Sequence, residues 1–349
     1  MKKILIDARM IHEFPHGIAR YVEGLAIGLK SRKLDYELVF LVSARTPKTS
    51  SVFLFQTLVA QSIFLSPAEW LEIPKILNQN KFNAFHSPSL SAYPYLPVPY
   101  MVTIHDLNHL HFGSIAQKIY YFSLLKRFAK NARVLSTISE FSKKEIDGWL
   151  RGSRTDIQIV SNPFEKVDVD TLSLTSSAPK TGYFLSISGL KDHKNLKTLL
   201  AGYQAYRNSV DKPFPLYVTA DAQGEGVTSL SSLTNSTELM SWMKFSRGCL
   251  FPSLYEGFGR APVEAAIAQS RIALSDISPH REGMMGVSEE SLVWVNPTSS
   301  FAWSGALLEL HHEKKRPVSS TESLQLQAKF SPDKIANDLD PIYRNMLIV

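Results

Sequence analysis

The sequence predicts an α/β protein built from two parallel-sheet domains. Short apolar runs alternate with amphipathic segments along the 349 residues, and strands that alternate with helices form parallel sheets. This length exceeds that of one ordinary domain and suits two. Residues 166–180 are rich in Ser, Thr and Asp, which is typical of a linker. We therefore predict a first domain over residues 1–165, a second over residues 181–330, and a last helix within residues 331–349.

The first domain is predicted to contain a parallel sheet with candidate ligand-binding residues at its strand ends. The first strand covers residues 3–7, and a helix over residues 18–30 follows it. Further strands are expected at residues 38–43, 82–86, 100–105, 134–138 and 157–162. Ligands bind at the carboxyl ends of parallel strands, where His86 and His105 lie, although such histidines are also often structural. Gly17 either lets a ligand approach the backbone or only relieves a tight turn.

Composition limits the classes of protein that this chain can be. Hydrophobic residues make up 44% and charged residues 20%, as in a folded globular protein. No run of about 18 apolar residues is present, and the apolar run near Met1 is too short for a signal peptide. The single Cys249 excludes an internal disulfide and lies in an apolar run, where a core role is expected. We therefore expect a cytoplasmic protein.

The net charge favours an anionic partner but does not identify it. The formal charge of +6 favours phosphates, nucleic acid or acidic lipid headgroups. A nucleic-acid partner is not expected, because basic tracts interleaved with aromatic residues are missing from the sequence. A dinucleotide-binding oxidoreductase is not expected either, because no G-x-G-x-x-G pattern follows the first strand.

The second domain contains a first candidate phosphate site at Lys194. Strands are expected at residues 183–188, 216–219, 249–251, 271–275 and 292–295, and helices near residues 262–270 and 301–311. Another helix begins at about Asn195, directly after Lys194. An ammonium group and a helix N-terminus then point to the same place, and both attract anions.

The stretch from residue 249 to residue 270 contains the second candidate site. An apolar run ends in a glycine-bearing turn, and a helix follows in which Pro262 occupies the first turn. Such a turn binds anions through backbone N–H groups and the helix dipole. Glu256 and Glu264 flank the turn, and carboxylates accept hydrogen bonds from sugar hydroxyls. The pattern predicts a nucleotide-sugar site; the alternative is an ordinary strand–turn–helix unit with surface glutamates.

These residues carry a resemblance to a known family. Glu256, Gly257, Phe258, Gly259, Pro262 and Glu264 resemble the donor-site motif of retaining glycosyltransferases of family 4, which have the GT-B fold. The segments GIARYV, IHDL, ISEFS, SNPF, KNL and FSPDK resemble the family in the same order. The resemblance implies two Rossmann-like domains that face a central cleft, with a C-terminal helix that returns to the first domain.

The resemblance also implies an activity. It is the transfer of a hexose, with mannose as the first guess, from a GDP- or UDP-linked donor to a hydroxyl of a glycan or lipid-linked acceptor. Enzymes of this kind act in bacterial polysaccharide and O-antigen assembly. A catalytically weak sugar-nucleotide-binding protein of the same fold is the alternative.

The resemblance further assigns roles to individual residues. Glu264 would hold the ribose, Glu256 the transferred sugar, and His105 would face that sugar. The donor diphosphate would contact the cations and the turn glycines, and the loop at Gly17 would close over it. The implied diphosphate-binding residues are Gly17, Gly189, Lys191, Lys194, Gly257, Phe258, Gly259 and Arg260.

The chain departs from the family at one position of the phosphate site. Gly189 stands where the family commonly has an arginine, and either Lys191 or Arg260 is a candidate to replace that cation. Leu233, Thr234 and Asn235 would lie near the nucleobase. We expect no metal and no cofactor, because no D-x-D motif is suitably placed and cationic side chains with helix dipoles can neutralise a diphosphate.

A basic segment in the first domain has two interpretations. Residues 117–133 are predicted to form one helix with an apolar side and five basic residues: Lys118, Lys126, Arg127, Lys130 and Arg133. It is either a core helix with solvated lysines or a surface that holds the protein peripherally at an anionic membrane. The second interpretation places the protein at the inner face of the membrane, near a lipid-linked acceptor.

Overall fold

The computed structural model describes residues 1–13, 16–153, 156–173, 178–179, 181–230 and 235–348. The chain divides into two compact units. The first unit comprises Met1–Glu165 with Phe330–Val349, and the second comprises Lys166–Lys329. Each unit is built on a parallel sheet with helices between the strands, which confirms the predicted α/β class with two Rossmann-like domains.

The first unit contains a seven-stranded parallel sheet in the order β3-β2-β1-β4-β5-β6-β7. Its strands are β1 (Lys3–Asp7), β2 (Glu37–Val42), β3 (Gln56–Val59), β4 (Ala84–Ser87), β5 (Tyr100–Thr103), β6 (Val134–Thr137) and β7 (Gln158–Ile159). The intervening helices are α1 (Gly17–Lys30), α2 (Glu69–Gln79), α3 (Asn108–Phe112), α4 (Ile115–Tyr120), α5 (Lys126–Asn131) and α6 (Glu140–Leu150). The strand order reverses between β1 and β4, so the loops after these two strands border a switch point of the kind that binds ligands in open sheets.

The second unit contains a six-stranded parallel sheet in the order β10-β9-β8-β11-β12-β13. Its strands are β8 (Phe184–Ser186), β9 (Leu216–Val218), β10 (Val227–Ser229), β11 (Gly248–Phe251), β12 (Ile272–Ser275) and β13 (Leu292–Val295). Its helices are α7 (Leu196–Arg207), α8 (Ser236–Phe245), α9 (Arg260–Ile267), α10 (Ser278–Gly283), α11 (Ser300–His311) and α12 (Ser320–Lys329). The core between β8 and helices α7 and α11 is aromatic, with Phe184, Tyr203 and Trp303 fully buried.

The C-terminal helix, α13 (Pro332–Leu347), packs against α1 in the first unit. The two helices approach closely at Gly28, where a Cβ would collide with the carbonyl of Pro332. Near the other end of α13, the Tyr343 hydroxyl lies 2.6 Å from His86 Nδ1, and His86 Nε2 lies 2.8 Å from Thr103 Oγ1. His86 is fully buried and both of its ring nitrogens are occupied, so its role is structural: it connects α13 to β4 and β5.

The basic segment differs from the single helix predicted over residues 117–133. It consists of α4, a π-helical segment at Tyr121–Leu125, and α5. A π turn adds a residue to one helical turn and rotates the following side chains. The apolar residues predicted to share one side are consequently divided: Leu125 and Phe128 are buried, whereas Ile119 and Phe122 are 61% and 60% exposed.

Two helices of the first unit, α6 and α13, begin at serine caps. Ser139 caps α6, because its side-chain oxygen accepts a hydrogen bond from the Ser142 N–H at 3.0 Å. Ser331 caps α13 in the same way, and Pro332 occupies the first position of that helix.

Cys249 lies in β11 and is fully buried, as expected of a core residue.

Candidate functional site

The second unit places its candidate residues where the strand order of the sheet reverses. After β8 the chain builds outward through β9 and β10, and it then returns to β11, which pairs with the other edge of β8. Loops at such a reversal leave the sheet in opposite directions and open a crevice that binds ligands. Lys194 lies in the loop after β8, and Glu256 lies in the turn after β11.

Asn195 fixes the backbone beside Lys194. Its φ of 53° is left-handed, a conformation that Asn adopts more readily than most residues. Its side-chain nitrogen donates to the carbonyls of Pro252 at 3.0 Å and Pro297 at 2.7 Å. The amide therefore ties the loop after β8 to the turn after β11. Sequence reasoning missed this role, although Asn directly before a helix was its signal.

Lys194 and Glu256 form an ion pair across the switch point. Lys194 Nζ lies 2.7 Å from Glu256 Oε1, and Ser253 Oγ donates to the same oxygen at 2.7 Å. Burial alone would raise the pKa of Glu256, but the charges of Lys194 and His280 and these hydrogen bonds hold the pKa below its usual value. Glu256 is thus an ionised acceptor at neutral pH.

A second ion pair lies at the start of α9. Arg260 Nε donates to Glu264 Oε1 at 3.1 Å, and the two side chains are 19% and 13% exposed. The helix begins at Arg260 rather than at Pro262 as predicted, because Gly259 turns the chain into it with a φ of 85°. The N-cap residue, Gly259, has no side chain that could cap this helix, and the N-terminus of a helix carries partial positive charge.

The imidazole of His280, on α10, packs against this turn. A Cβ at Gly259 would lie 2.8 Å from His280 Cδ2, so the contact requires glycine there, as does its backbone conformation. His280 is 1% exposed and its Nδ1 lies 2.9 Å from the Ser275 carbonyl oxygen. Burial lowers the pKa of His280, although the Glu256 carboxylate opposes the effect. Sequence reasoning did not single out His280.

The other predicted residues of the phosphate site lie in the loop after β8 and in the turn that leads from β11 into α9. Gly189 is not required by packing, because the nearest atom to a Cβ there would be Lys194 Cγ at 3.9 Å. Lys191 is exposed, whereas the Arg260 side chain is held by Glu264. Gly257 and Phe258 are buried within the turn.

The predicted nucleobase contacts are only partly described. Leu233 and Thr234 lie outside the described residues. Asn235 begins α8, where its side-chain oxygen accepts the Glu238 N–H at 3.0 Å. A contact of Asn235 with a nucleobase stays a prediction.

Gly17 and His105 lie in the first unit. Gly17 is the first residue of α1, its φ is not left-handed, and no described atom lies within 4 Å of the position that a Cβ would occupy. A tight turn therefore does not account for this glycine, and the described residues leave the space beside it open. The ring of Tyr21, one helical turn later, meets His105 edge-on with 4.8 Å between centroids.

His105 is a neutral hydrogen-bonding group. It is 7% exposed, and its Nε2 lies 3.0 Å from the Pro88 carbonyl oxygen. A carbonyl can only accept, so Nε2 carries the proton and Nδ1 is the ring acceptor. Burial lowers the pKa of His105 to about 4, and the nearby His16 adds to this effect. The ring can orient a hydroxyl at neutral pH but supplies no charge.

A buried charged network beside β1 escaped sequence reasoning. Arg9 Nη2 lies 2.7 Å from Asp7 Oδ2 and 2.9 Å from Glu69 Oε2, and it donates to the Tyr93 hydroxyl at 3.0 Å. Burial raises the pKa of Glu69 to about 7, although Arg9 lowers it in part. The network anchors the loop that leads from β1 toward α1.

The described residues contain neither a metal-binding cluster nor a membrane-spanning helix. Within those ranges, no three His, Cys, Asp or Glu side chains are grouped as a metal ion would need. None of the helices in the described part of the chain is both long and apolar enough to cross a membrane.

Comparison with known proteins identifies relatives of this chain. Residues 15–166 match the model of Glycosyltransferase Family 4. The O-antigen chain mannosyltransferase RfbU of Salmonella typhimurium is 23% identical over 222 residues, which cover 59% of this chain and 59% of that protein. The match therefore spans less than two thirds of the length of that relative. The predicted resemblance to family 4 is confirmed.

Solved structures with the same architecture cover nearly all of the chain. The sucrose-phosphate synthase of Thermosynechococcus elongatus has a TM-score of 0.70 at 14% identity, with 99% of each chain covered. Anabaena Alr3699/HepE, solved in complex with UDP and glucose, has a TM-score of 0.69 at 13% identity, with 100% of each chain covered. These likenesses confirm the predicted GT-B fold class.

Proposed function

We propose that this protein is a retaining glycosyltransferase that transfers a hexose from a nucleoside-diphosphate sugar to a hydroxyl group. The observation that carries the proposal is the pair of ion pairs in the second unit, Lys194–Glu256 and Arg260–Glu264. Each pair joins a cation suited to phosphate with a carboxylate suited to sugar hydroxyls. A nucleotide sugar offers both kinds of group, because its diphosphate suits the cations and its hydroxyls suit the carboxylates.

The chemistry explains why such a site would need cations. Transfer breaks the bond between the sugar C1 and the diphosphate, and negative charge develops on the departing diphosphate oxygen. Preorganised donors stabilise such charge more in the transition state than in the ground state. We assign this role to Lys194 and to the N-terminus of α9, and assign Glu256 to the sugar hydroxyls and Glu264 to the ribose. His105, neutral at pH 7, would orient the transferred sugar.

We also propose which sugar is transferred, which nucleotide carries it and which kind of acceptor receives it. The similarity to an O-antigen chain mannosyltransferase supports mannose as the first candidate sugar and a glycan or lipid-linked glycan as the acceptor. A GDP-linked donor is the form in which mannose is usually activated, and the UDP complex of a structural neighbour keeps UDP-linked donors as the second candidate. A sugar-nucleotide-binding protein without turnover is the alternative, and donor hydrolysis distinguishes the two.

A thermal-shift panel of nucleotide sugars tests the proposal. UDP-, GDP-, ADP- and dTDP-linked sugars are each added to the intact chain, and the melting temperature is measured. A ligand that binds only the folded state stabilises it by about 2.7 kcal/mol at 100 times its Kd. We expect one nucleotide class to raise the melting temperature and its sugar to be released or transferred slowly. A panel without any shift would contradict the proposal, and a shift without turnover would favour the binding protein.

The same panel is run with excess EDTA to test metal independence. We propose that Lys194 and the helix dipole of α9 neutralise the diphosphate, so chelation should leave both the shift and the turnover unchanged. Loss of turnover in EDTA that magnesium or manganese restores would contradict this part of the proposal. The donor assignment would still stand in that case, because it depends on nucleotide binding alone.

We further propose peripheral contact with an anionic membrane through the segment from α4 to α5. Large apolar side chains are exposed along it, with Ile115 at 78%, Ile119 at 61% and Phe122 at 60%. Arg127 and Lys130 are exposed on the same helical run. Anionic headgroups attract such residues by about 1 kcal/mol each. Lys126 contributes less, because its ammonium group donates to the Trp149 carbonyl.

Vesicle sedimentation checks the membrane proposal. At low salt the protein should pellet with anionic vesicles and stay in solution with neutral ones. Arg127→Glu/Lys130→Glu should release it by reversing charge, and Ile115→Ser/Ile119→Ser should weaken binding at high salt as well. Leu71→Ser is the matched control, because Leu71 is 82% exposed on α2 and lies outside the segment. Equal binding by the charge-reversed variant and the wild type would remove the membrane role.

A further inference from the structure

His280 has a buried ring nitrogen for which the described residues provide no hydrogen-bond partner. Its Nδ1 lies against the Ser275 carbonyl, which can only accept, so Nδ1 carries the proton of the neutral ring. Nε2 is then a lone-pair acceptor, and it is buried without a hydrogen bond to any residue in the described part of the chain. A buried polar atom left unsatisfied costs about 1–3 kcal/mol, and native proteins contain few of them. This one lies at the candidate donor site, 3.4 Å from where a Cβ of Gly259 would stand.

Charged groups from several elements surround the ring. The Glu256 carboxylate favours the protonated form of His280, and the Lys194 ammonium disfavours it. The remaining charges near α10 are paired with one another: Arg260 with Glu264 on α9, and Arg281 on α10 with Asp276 after β12. Glu282, also on α10, interacts with Lys329 at the end of α12. The balance at His280 is therefore set by the Lys194–Glu256 pair, in which Lys194 is the partner that a diphosphate would attract.

We propose that His280 is a positioning residue that takes up a proton at Nε2 when the donor binds, and so holds the Glu256 carboxylate in place after Lys194 has turned to the diphosphate. The proposal rests on the proposed function, because it needs a nucleotide sugar at this site. The charges remain balanced in this exchange. Lys194 leaves Glu256 and pairs with the diphosphate, and the protonated imidazole of His280 replaces Lys194 as the partner of Glu256. The proton comes from solvent, and Nδ1 keeps its bond to Ser275 throughout.

This role explains why position 280 holds a histidine and not an apolar or a permanently charged residue. An apolar side chain at position 280 would fill the space beside Gly259 without burying an unsatisfied nitrogen. A permanently charged side chain there would compete with Lys194 for Glu256 before the donor arrives. A histidine satisfies both states, because its charge can change with the contacts of its neighbours near neutral pH.

Calorimetry of donor binding tests the proposal. The intact protein is titrated with the nucleotide sugar that gives the largest thermal shift, in buffers that differ in ionisation enthalpy. The diphosphate of a nucleotide sugar is a diester, so it lacks the terminal phosphate group that titrates near pH 6 in monoesters. We expect proton uptake by the wild type, and an affinity that rises as pH falls from 8 to 6, by at most about tenfold per pH unit.

Two variants separate His280 from other histidines. His280→Asn keeps a side-chain N–H in reach of the Ser275 carbonyl and removes the titrating nitrogen, so it should bind donor without proton uptake and with a flat pH profile. Its kcat should fall more than its KM rises, because Glu256 is no longer held during transfer. His312→Asn is the matched control, because His312 is exposed at the end of α11, and it should behave as the wild type does.

The outcomes distinguish this inference from the proposed function. Nucleotide binding by the wild type without proton uptake overturns the role of His280 and leaves the donor site standing. Proton uptake that persists in His280→Asn, with that variant folded by circular dichroism, also overturns it. A panel in which no nucleotide sugar binds overturns the donor site and the role of His280 together.

Discussion

Lys194→Met is expected to lower turnover about 10²–10³-fold, the range observed when one preorganised donor is removed from developing charge. The effect should fall on kcat more than on KM, because a cation aimed at the leaving diphosphate interacts most strongly in the transition state. Methionine keeps an unbranched side chain as far as Cε and lacks the ammonium group. The lysine side chain is 31% exposed, so the fold should be retained. Rates with a saturating donor, compared at equal protein concentration, measure the effect.

Lys212→Met is the matched control for this prediction. Lys212 follows the C-terminal end of α7, the end remote from Lys194, and is exposed. Removing it changes the net charge equally and leaves the residues of the switch point intact, so turnover should stay close to the wild-type rate. Equal losses in the two variants would mean that net charge alone matters, and the assignment of Lys194 would then be wrong.

A further comparison addresses the cation that Gly189 does not supply. Lys191→Met should lower donor affinity if Lys191 replaces the missing arginine, and it should be silent if Arg260 does. Arg260 would have to leave Glu264 for that role, whereas Lys191 is already exposed. The geometry therefore favours Lys191.

The central strands could be predicted from sequence because each is a short apolar run between polar residues. β1 and β13 lie at their predicted bounds, Lys3–Asp7 and Leu292–Val295. The strands that were missed, β3 and β10, are sheet edges with half-exposed residues. An edge strand pairs on one side only, so its sequence need not be uniformly apolar, and hydrophobic patterning does not detect it.

The candidate donor site could be predicted only where its residues are close in sequence. Glu256, Gly259 and Glu264 belong to one strand–turn–helix unit, and a local motif therefore identified them. The contacts of this unit with Lys194 and His280 depend on strand order, because β8, β11 and β12 are neighbours in the sheet. A single sequence does not specify that order.

Glu264→Ala is expected to weaken nucleotide binding by about 2–4 kcal/mol, because a carboxylate that accepts from the ribose hydroxyls forms charge-assisted hydrogen bonds. The loss corresponds to about 30- to 1000-fold in Kd. A competing effect has the opposite sign. Glu264 also holds Arg260, and its removal would leave that cation available to the diphosphate. The net change in Kd alone therefore does not isolate the ribose contact.

A comparison of a ribonucleotide with its 2′-deoxy counterpart, in the wild type and in the variant, isolates the contact of Glu264 with the ribose. The wild type should bind the ribonucleotide more tightly than its 2′-deoxy counterpart, whereas Glu264→Ala should bind the two almost equally, since the acceptor of the 2′-hydroxyl is gone. The effect of Arg260 on the phosphates is common to both ligands and cancels in the ratio. Glu264→Gln should retain part of the discrimination, because its amide oxygen still accepts without charge. If Glu264→Ala discriminates between the two nucleotides as strongly as the wild type does, Glu264 does not hold the ribose.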